Sequence, residues 1–324
     1  MQHHAGARGP RKRTLLLNAD CSAADALQLL APEDSDALLE GRIFVNRRRI
    51  HEPDQRLARG DEVTWNAGRL EPNIEVLRGQ LVLESRDGLV AAAKPAAWAS
   101  EPDRSGSATS LSEQLLGVLG IRELHVATRL DVGVSGLVLC ATNAEARRYL
   151  AHLVGTSAFH RIYLAVVAGV PPERGTWRGS VDAHSGVRAR PAVTHFECLS
   201  RVSLPQGSTL GDAQRADQIA LLTLRPETGR RHQLRIHASR AGFPLVGDRR
   251  YQGPARFIDA TGRVTAIDRI LLHAASTQVP LPGHRIWKLV CPIPEDFQEL
   301  WRRLGGSAGE LNRVLSSFQP RAGA

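Results

Sequence analysis

The chain has 324 residues, with 42 Lys and Arg against 33 Asp and Glu and a formal net charge of +9 at pH 7. That length suits one large domain plus a smaller module, and the basic balance favours polyanionic partners, nucleic acid first, over acidic proteins. Four cysteines without a CxxC pair and the lack of an N-terminal apolar run predict a reduced, cytoplasmic protein with no signal peptide and no membrane association.

Residues 1–12 are polar, basic and Gly/Pro-bearing, the composition of a solvated tail able to touch phosphate. Residues 13–66 form a compact α/β unit. Its helix opens at Ser22 in "SAADALQLL", Gly41 ends a further helical pattern, and "RIFVN" and "EVTW" are short strands linked through the Arg59-Gly60-Asp61 turn. The triple arginine Arg47, Arg48 and Arg49 is placed on a turn between strands. Residues 67–78, polar and containing Pro72, form the linker.

The large domain, 79–305, opens with two strands around an Asp87-Gly88 turn in "LVLESRDGLVAAAKP". Strands recur at "SGLVLCA", "HRIYLAVVAG", "VTHFECLSRV", "QIALLTLRP" and "KLVCPIP", with helices at "AEARRYLAHLV" and "RHQLRIHASRAG". So many hairpins predict an α+β fold with a mixed, largely antiparallel central sheet and flanking helices. Residues 205–217 carry no periodicity and read as a loop inserted in a hairpin; after one closing helix, 306–324 reads as a tail.

Three distant segments carry candidate chemistry. "RLDVGVSG" sets Asp131 in a turn between apolar stretches, where Arg129 and Asp131 taken alone allow a structural ion pair. In "HRIYLAVVAG" strand alternation sends Arg161, Tyr163 and Ala165 to one face and Ile162, Leu164 and Val166 to the other. In "ETGRRHQLRIHASRAG" Thr228 caps a helix whose Leu234, His237, Ala238 and Ala241 are buried, with Gly242 as its stop and Arg231 and Arg235 on a neighbouring face. His232 and His237, five apart, fit neither a helical HExxH nor a Cys/His finger, so no metal is expected.

Read together, "KP" at Lys94, "RLD..SGL.L" from Arg129, Arg161-x-Tyr163, "A.T.F..L.R" from Ala192, "TGR.HQLR.H" from Thr228, "G.P.VGD..Y" from Gly242, "LLHA" from Leu271 and "P.P.DF" from Pro292 follow one order. Over residues 79–303 that order resembles the RluA-type pseudouridine synthases, and residues 13–66, with the Gly60-Asp61 turn, resemble the S4-type RNA-binding module of a small-subunit ribosomal protein. The resemblance implies isomerisation of uridine in RNA, ribosomal RNA of the large subunit before transfer RNA, with no cofactor; a monomer is the default expectation.

It further implies Asp131 as nucleophile on a flipped-out uridine, Arg235 as its cationic partner, Tyr163 as the platform stacked on the base and Leu272 as a wall. Arg129, Arg161, Arg230, Lys94 and the Arg47–Arg49 run are the expected RNA contacts. Attack on the anomeric carbon and elimination to a glycal both stay open to Asp131. Departures from the family pattern fall at Thr128, where a histidine is usual, at Val134, where a threonine is usual, at Arg161 in place of lysine, and across "KPAAWASEP". Rival readings are an RNA-binding protein on a decayed synthase scaffold, a glycosidase using Asp131 with a second carboxylate that no matched segment supplies, and a structural Asp131–Arg235 ion pair.

Overall fold

The computed structural model describes residues 12–32, 37–38, 43–46, 48–50, 52–66, 79–102, 109–156, 158–181, 189–211, 216–281, 283 and 285–318. The chain divides into two compact units, Met1–Asn73 and Ile74–Ala324. Residues 1–11 of the expected tail, Gly41, Arg47, the 67–78 linker and residues 319–324 lie outside the described residues.

In the first unit β1 (Lys12–Leu16), β3 (Ile43–Val45), β4 (Arg48–Ile50) and β6 (Glu62–Asn66) form a sheet in the order β1-β6-β3-β4, and β2 (Cys21–Ser22) pairs with β5 (Arg56–Leu57). Helix α1 (Ala23–Leu30) starts where the sequence places it: Ser22 and Asp25 exchange side-chain and backbone hydrogen bonds in a capping box. Ala23, Ala26, Leu27 and Leu30 of α1 bury against Ile43, Val63 and Trp65 of the sheet. Arg48 and Arg49 belong to β4 rather than to a turn, because the chain reverses one step earlier, at Asn46 with φ 48°.

The second unit is built on a ten-stranded sheet. Its strands are β7 (Val82–Arg86), β8 (Leu89–Lys94), β9 (His125–Val126), β10 (Ser135–Ala141), β11 (His160–Ala168), β12 (Arg174–Val181), β13 (Arg190–Ser203), β15 (Gln218–Pro226), β18 (Leu272–Leu281) and β19 (Arg285–Val290). They run in the order β12-β13-β15-β11-β18-β10-β8-β7, with β19 added on β18 and β9 on β10, and every pairing is antiparallel except β10 with β18. The expected mixed, largely antiparallel sheet is therefore present. A smaller sheet of β14 (Thr209–Leu210), β16 (Arg256–Ile258) and β17 (Val264–Ala266) takes in part of the stretch read as a loop.

Strand β11 shows why the centre of this sheet is covered on both faces. Leu164 and Val166 pack with Phe297 and Trp301 of α5 (Glu295–Arg303) and Leu311 of α6 (Ala308–Phe318), whereas Tyr163, Ala165 and Val167 pack with Leu234 and Ala238 of α4 (Gln233–Arg240). Strand β10 is covered likewise, by α2 (Leu111–Leu119) on one side and α3 (Ala144–Leu153) on the other. The stretch from 306 is thus not a loose tail over its described part: Leu311 is 1% exposed in the main core, with Val314, Leu315 and Phe318 against it.

Candidate active site

Asp131 occupies the turn that feeds β10, and that turn is clamped from three directions. Val134 N–H closes it onto the Asp131 carbonyl at 3.0 Å, Ile270 N–H reaches the Gly133 carbonyl at 3.2 Å, and Ser100 Oγ bonds both the N–H and the carbonyl of Leu130 at 2.9 and 3.0 Å. Behind it, Lys94 Nζ donates to the Pro95, Trp98 and Val132 carbonyls at 2.9, 2.7 and 3.4 Å. Lys94 is 1% exposed, so it braces the turn and does not reach RNA as expected from sequence. Burial, with the Arg269 charge adding and the Asp131 charge opposing, pulls its pKa down to about 7.

Arg235 enters from the first turn of α4, which begins four residues later than a Thr228 cap would place it. His232 stands at the N-cap with φ 55° and no side-chain capping bond. The Thr228 hydroxyl instead donates to Gln233 Oε1 at 2.7 Å, and Gln233 Nε2 donates to the Val193 carbonyl and Thr194 Oγ1 at 2.9 and 3.0 Å, docking α4 on β13. The helix is buried from Gln233 through Ala238, which turns Arg235 inward rather than onto a solvated face.

The guanidinium has two carboxylate partners. Nη1 donates to Asp131 Oδ2 at 2.8 Å, while Nε and Nη2 donate to the two oxygens of Asp248 at 2.7 and 2.8 Å. Burial opposes its charge, but the hydrogen bonds and charges of Asp248 and Asp131 outweigh it and push the pKa up. The Asp131 side chain is 26% exposed and that of Asp248 only 1%. Asp248 thus neutralises the arginine from the core side, and Asp131 keeps an open side toward solvent.

His232 Nε2 lies 3.5 Å from Asp131 Oδ1, and His232 Nδ1 is hydrogen-bonded to the Tyr251 hydroxyl at 2.8 Å. The Tyr251 ring lies under the Arg235 guanidinium at 5.0 Å. A cavity of about 300 Å³ lies on the Asp248 side of Arg235, lined by Gly133, Arg235, Asp248, Arg249, Arg250 and Arg269 among others, with neither Asp131, His232 nor Tyr251 in its lining. A larger one, about 530 Å³, is lined by Phe196, Glu197, Thr223 and Arg225 of the sheet and by Val314 and Phe318 of α6, among others, and its lining holds neither Asp131, Tyr163 nor Arg235.

The structure brings Tyr163 and Leu272 into one apolar cluster with Val134 and Leu234, the neighbours of the Asp131 turn and of Arg235; they are 7% and 3% exposed. Arg129 is exposed and lies 3.6 Å from Glu101, not against Asp131. Arg161 is half-buried with its guanidinium 5.4 Å over the Phe159 ring, and Arg230 Nε reaches the Pro191 carbonyl at 3.4 Å. Thr128 turns inward, accepting from Leu139 N–H at 2.8 Å, and Val134 is buried, so both departures from the family pattern are absorbed by the fold.

Asp248, His232 and Tyr251 lie inside segments whose order signalled the family, yet sequence reasoning gave them no role. The "VGD..Y" spacing was the available sign.

The family described as RNA pseudouridylate synthase matches residues 88–240. Ribosomal large subunit pseudouridine synthase C of Escherichia coli is 27% identical over 282 residues, 82% of this chain and 86% of the relative. Ribosomal large subunit pseudouridine synthase D of Xanthomonas campestris is 30% identical over 254 residues, 72% of either chain. The solved structure of human RNA Pseudouridylate Synthase Domain Containing 1 shares the fold at TM-score 0.52 and 22% identity, over 74% of this chain and 94% of its own. With the sheet, the segment order and these likenesses in agreement, the chain belongs to the RluA-type RNA pseudouridine synthases, isomerases that act on RNA.

Proposed function

We propose that this protein converts specific uridines of large-subunit ribosomal RNA to pseudouridine, with Asp131 acting on a flipped-out nucleotide. The observation that carries the reading is the asymmetry around Arg235: the Asp248 carboxylate is buried and spent on neutralising the guanidinium, while that of Asp131, 2.8 Å from Arg235 Nη1, stays partly open. In the reaction the bond from C1′ to N1 breaks, a bond from C1′ to C5 forms, a proton leaves C5 and one is gained at N1. No redox change occurs, so no cofactor is required. Attack on C1′ and elimination to a glycal both use an anionic oxygen, for which Arg235 supplies the countercharge. Tyr163 and Leu272 provide the stacking surface and the wall for the extruded base.

Arg129, Arg161 and Arg230 are the proposed RNA contacts of the large unit. The S4-type reading of the first unit, with Arg47, Arg48 and Arg49 as its basic contacts, is supported by that local arginine run and by the compact helix-and-sheet unit, not by net charge, since residues 13–66 hold seven arginines against ten Asp and Glu. Asp131, Arg235 and Asp248 come from one chain, which supports action as a monomer, and the ribosomal relatives support a cytoplasmic setting. A glycosidase reading is disfavoured because Asp248, the carboxylate nearest to hand, is held on both oxygens and shut off from solvent.

The test is Asp131→Asn in the full chain. Release of tritium from C5 of [5-³H]uridine-labelled ribosomal transcripts falls to background, RNA affinity stays within about threefold, and unfolding stability stays within about 1 kcal/mol. Retained turnover, or a large loss of stability with no catalytic effect, sinks the proposal. Pseudouridine mapping in cells lacking the gene, complemented with either version, identifies the target site.

A further inference from the structure

We propose that His232 is a positioning residue for Asp131, held by Tyr251 in the tautomer that presents an N–H to the carboxylate. The inference rests on the reading of Asp131 given above and adds two residues to that site. Three observations carry it. The first is backbone geometry: His232 sits at φ 55° and ψ 17°, a left-handed conformation uncommon outside glycine though histidine is among the side chains that adopt it more often, directly before α4. That conformation directs the imidazole between Asp131 and Tyr251.

The second is donor accounting. A carboxylate only accepts, so an imidazole facing Asp131 Oδ1 through Nε2 must carry its proton there; neutral imidazole has a single N–H, and Nδ1 is then the acceptor. The Tyr251 hydroxyl, 2.8 Å from Nδ1, is the donor that fixes this arrangement. The Nε2 to Oδ1 separation of 3.5 Å is long, as contacts in catalytic sites commonly are before substrate closes on them.

The third is that both groups approaching Asp131 share a support. Tyr251 meets His232 edge-on at 5.7 Å between ring centres and places its face 5.0 Å from the Arg235 guanidinium. The charged groups facing His232 are Asp131, Arg235, Arg231 and Arg250. Burial lowers the imidazole pKa, with Asp131 opposing and the three arginines adding, so the neutral ring prevails at neutral pH. One carboxylate oxygen is then held by Arg235 and the other by His232, which fixes the plane of Asp131 against the base.

Two measurements on the full chain test this. ¹⁵N-histidine NMR without RNA, with the His232 signal assigned by its loss in His232→Gln, shows an Nε2-protonated ring that loses this preference in Tyr251→Phe; an Nδ1-protonated ring in the unsubstituted protein overturns the inference. In single-turnover tritium release from labelled ribosomal transcripts, His232→Ala lowers the rate about tenfold with RNA affinity unchanged. The acid limb of its rate profile moves to higher pH, and His232→Gln, which restores an N–H near the Nε2 position, recovers most of the rate. Tyr251→Phe lowers the rate by itself but adds nothing to His232→Ala, because the hydroxyl acts through the imidazole. An unaltered rate and acid limb in His232→Ala, or additive losses in the double variant, also overturn it. If the unsubstituted protein releases no tritium, the pseudouridine synthase reading fails, and the tautomer measurement still decides this inference by itself.

Discussion

Arg235 is 8% exposed, and a buried guanidinium stays in place only when its charge is answered by groups that are themselves fixed. Asp248 answers it with two hydrogen bonds and Asp131 with one, so the two carboxylates separate in a stability measurement. Asp248→Asn leaves the arginine half-compensated in the core and lowers urea-unfolding stability by about 3 kcal/mol, well beyond the loss expected for Asp131→Asn. Equal losses would mean that Asp131 is as structural as Asp248. A second residue-scale consequence comes from His273, fully buried between Ser135 Oγ at 2.9 Å and the Cys291 carbonyl at 3.3 Å. Burial holds its pKa down to about 3, so between the ordinary histidine value and about 3 the unfolded chain binds a proton that the native protein refuses. Stability therefore falls as pH drops below about 6.5, by up to about 1.4 kcal/mol per pH unit from this residue. Unfolding titrations of His273→Gln will show a shallower acid slope in that window, whatever its stability at pH 7.

Among the elements, those with a one-faced or bounded apolar pattern were legible. The helix opening at Ser22 and strands β10, β11 and β15 lie where the sequence puts them, and the Asp87-Gly88 turn closes the first hairpin of the large unit with φ 50° and 76°, as such a pair should. Strand β18 was legible only through its "LLHA" opening: buried on both faces, it shows no alternation to read. The start of α4 was misplaced because the side-chain amide of Gln233, not a hydroxyl cap, ties the helix to its neighbours, a tertiary arrangement no local pattern encodes. The parallel contact of β10 with β18 behind the Asp131 turn was equally invisible. It depends on Gly136, at φ 121°, where an added Cβ would stand 2.4 Å from the backbone N and O of Ala274. Gly136→Ala therefore cannot be relieved by a rotamer change, and it lowers both soluble yield and unfolding stability by more than about 3 kcal/mol. Gly120→Ala is the control: its φ of 65° is left-handed too, but no atom lies within 4 Å, so the cost is about 1 kcal/mol. Similar losses at the two glycines would show that backbone conformation, not the approach of β18, sets the requirement.

For the whole molecule, charge and architecture have to be joined. Asp131 and Arg235 could be singled out as candidates from the sequence because segment order is preserved along the chain, but that Asp248 joins them needed three dimensions, since the three come from a turn, a helix and a loop separated by up to 117 positions. The reading of the first unit rests on the local Arg47–Arg49 run and the basic tail before it, since residues 13–66 as a whole hold seven arginines against ten Asp and Glu; its physical content is electrostatic: phosphate contacts release counterions, so affinity falls linearly with log salt concentration at about 0.9 per contact on duplex RNA and about 0.7 on single strands. A chain lacking residues 1–65 keeps the whole 79–318 sheet assembly, whose cores are internal to the second unit. If the removed part makes two or three phosphate contacts, binding of a ribosomal transcript, measured from about 50 to 200 mM salt, weakens most at the low end and its log–log slope flattens by roughly two. The rate of tritium release at saturating RNA changes little, because every charged group around Arg235 remains. A slope unaltered by the deletion would take RNA binding away from the first unit, and a collapsed saturating rate would mean that the unit helps to assemble the site rather than to hold the strand.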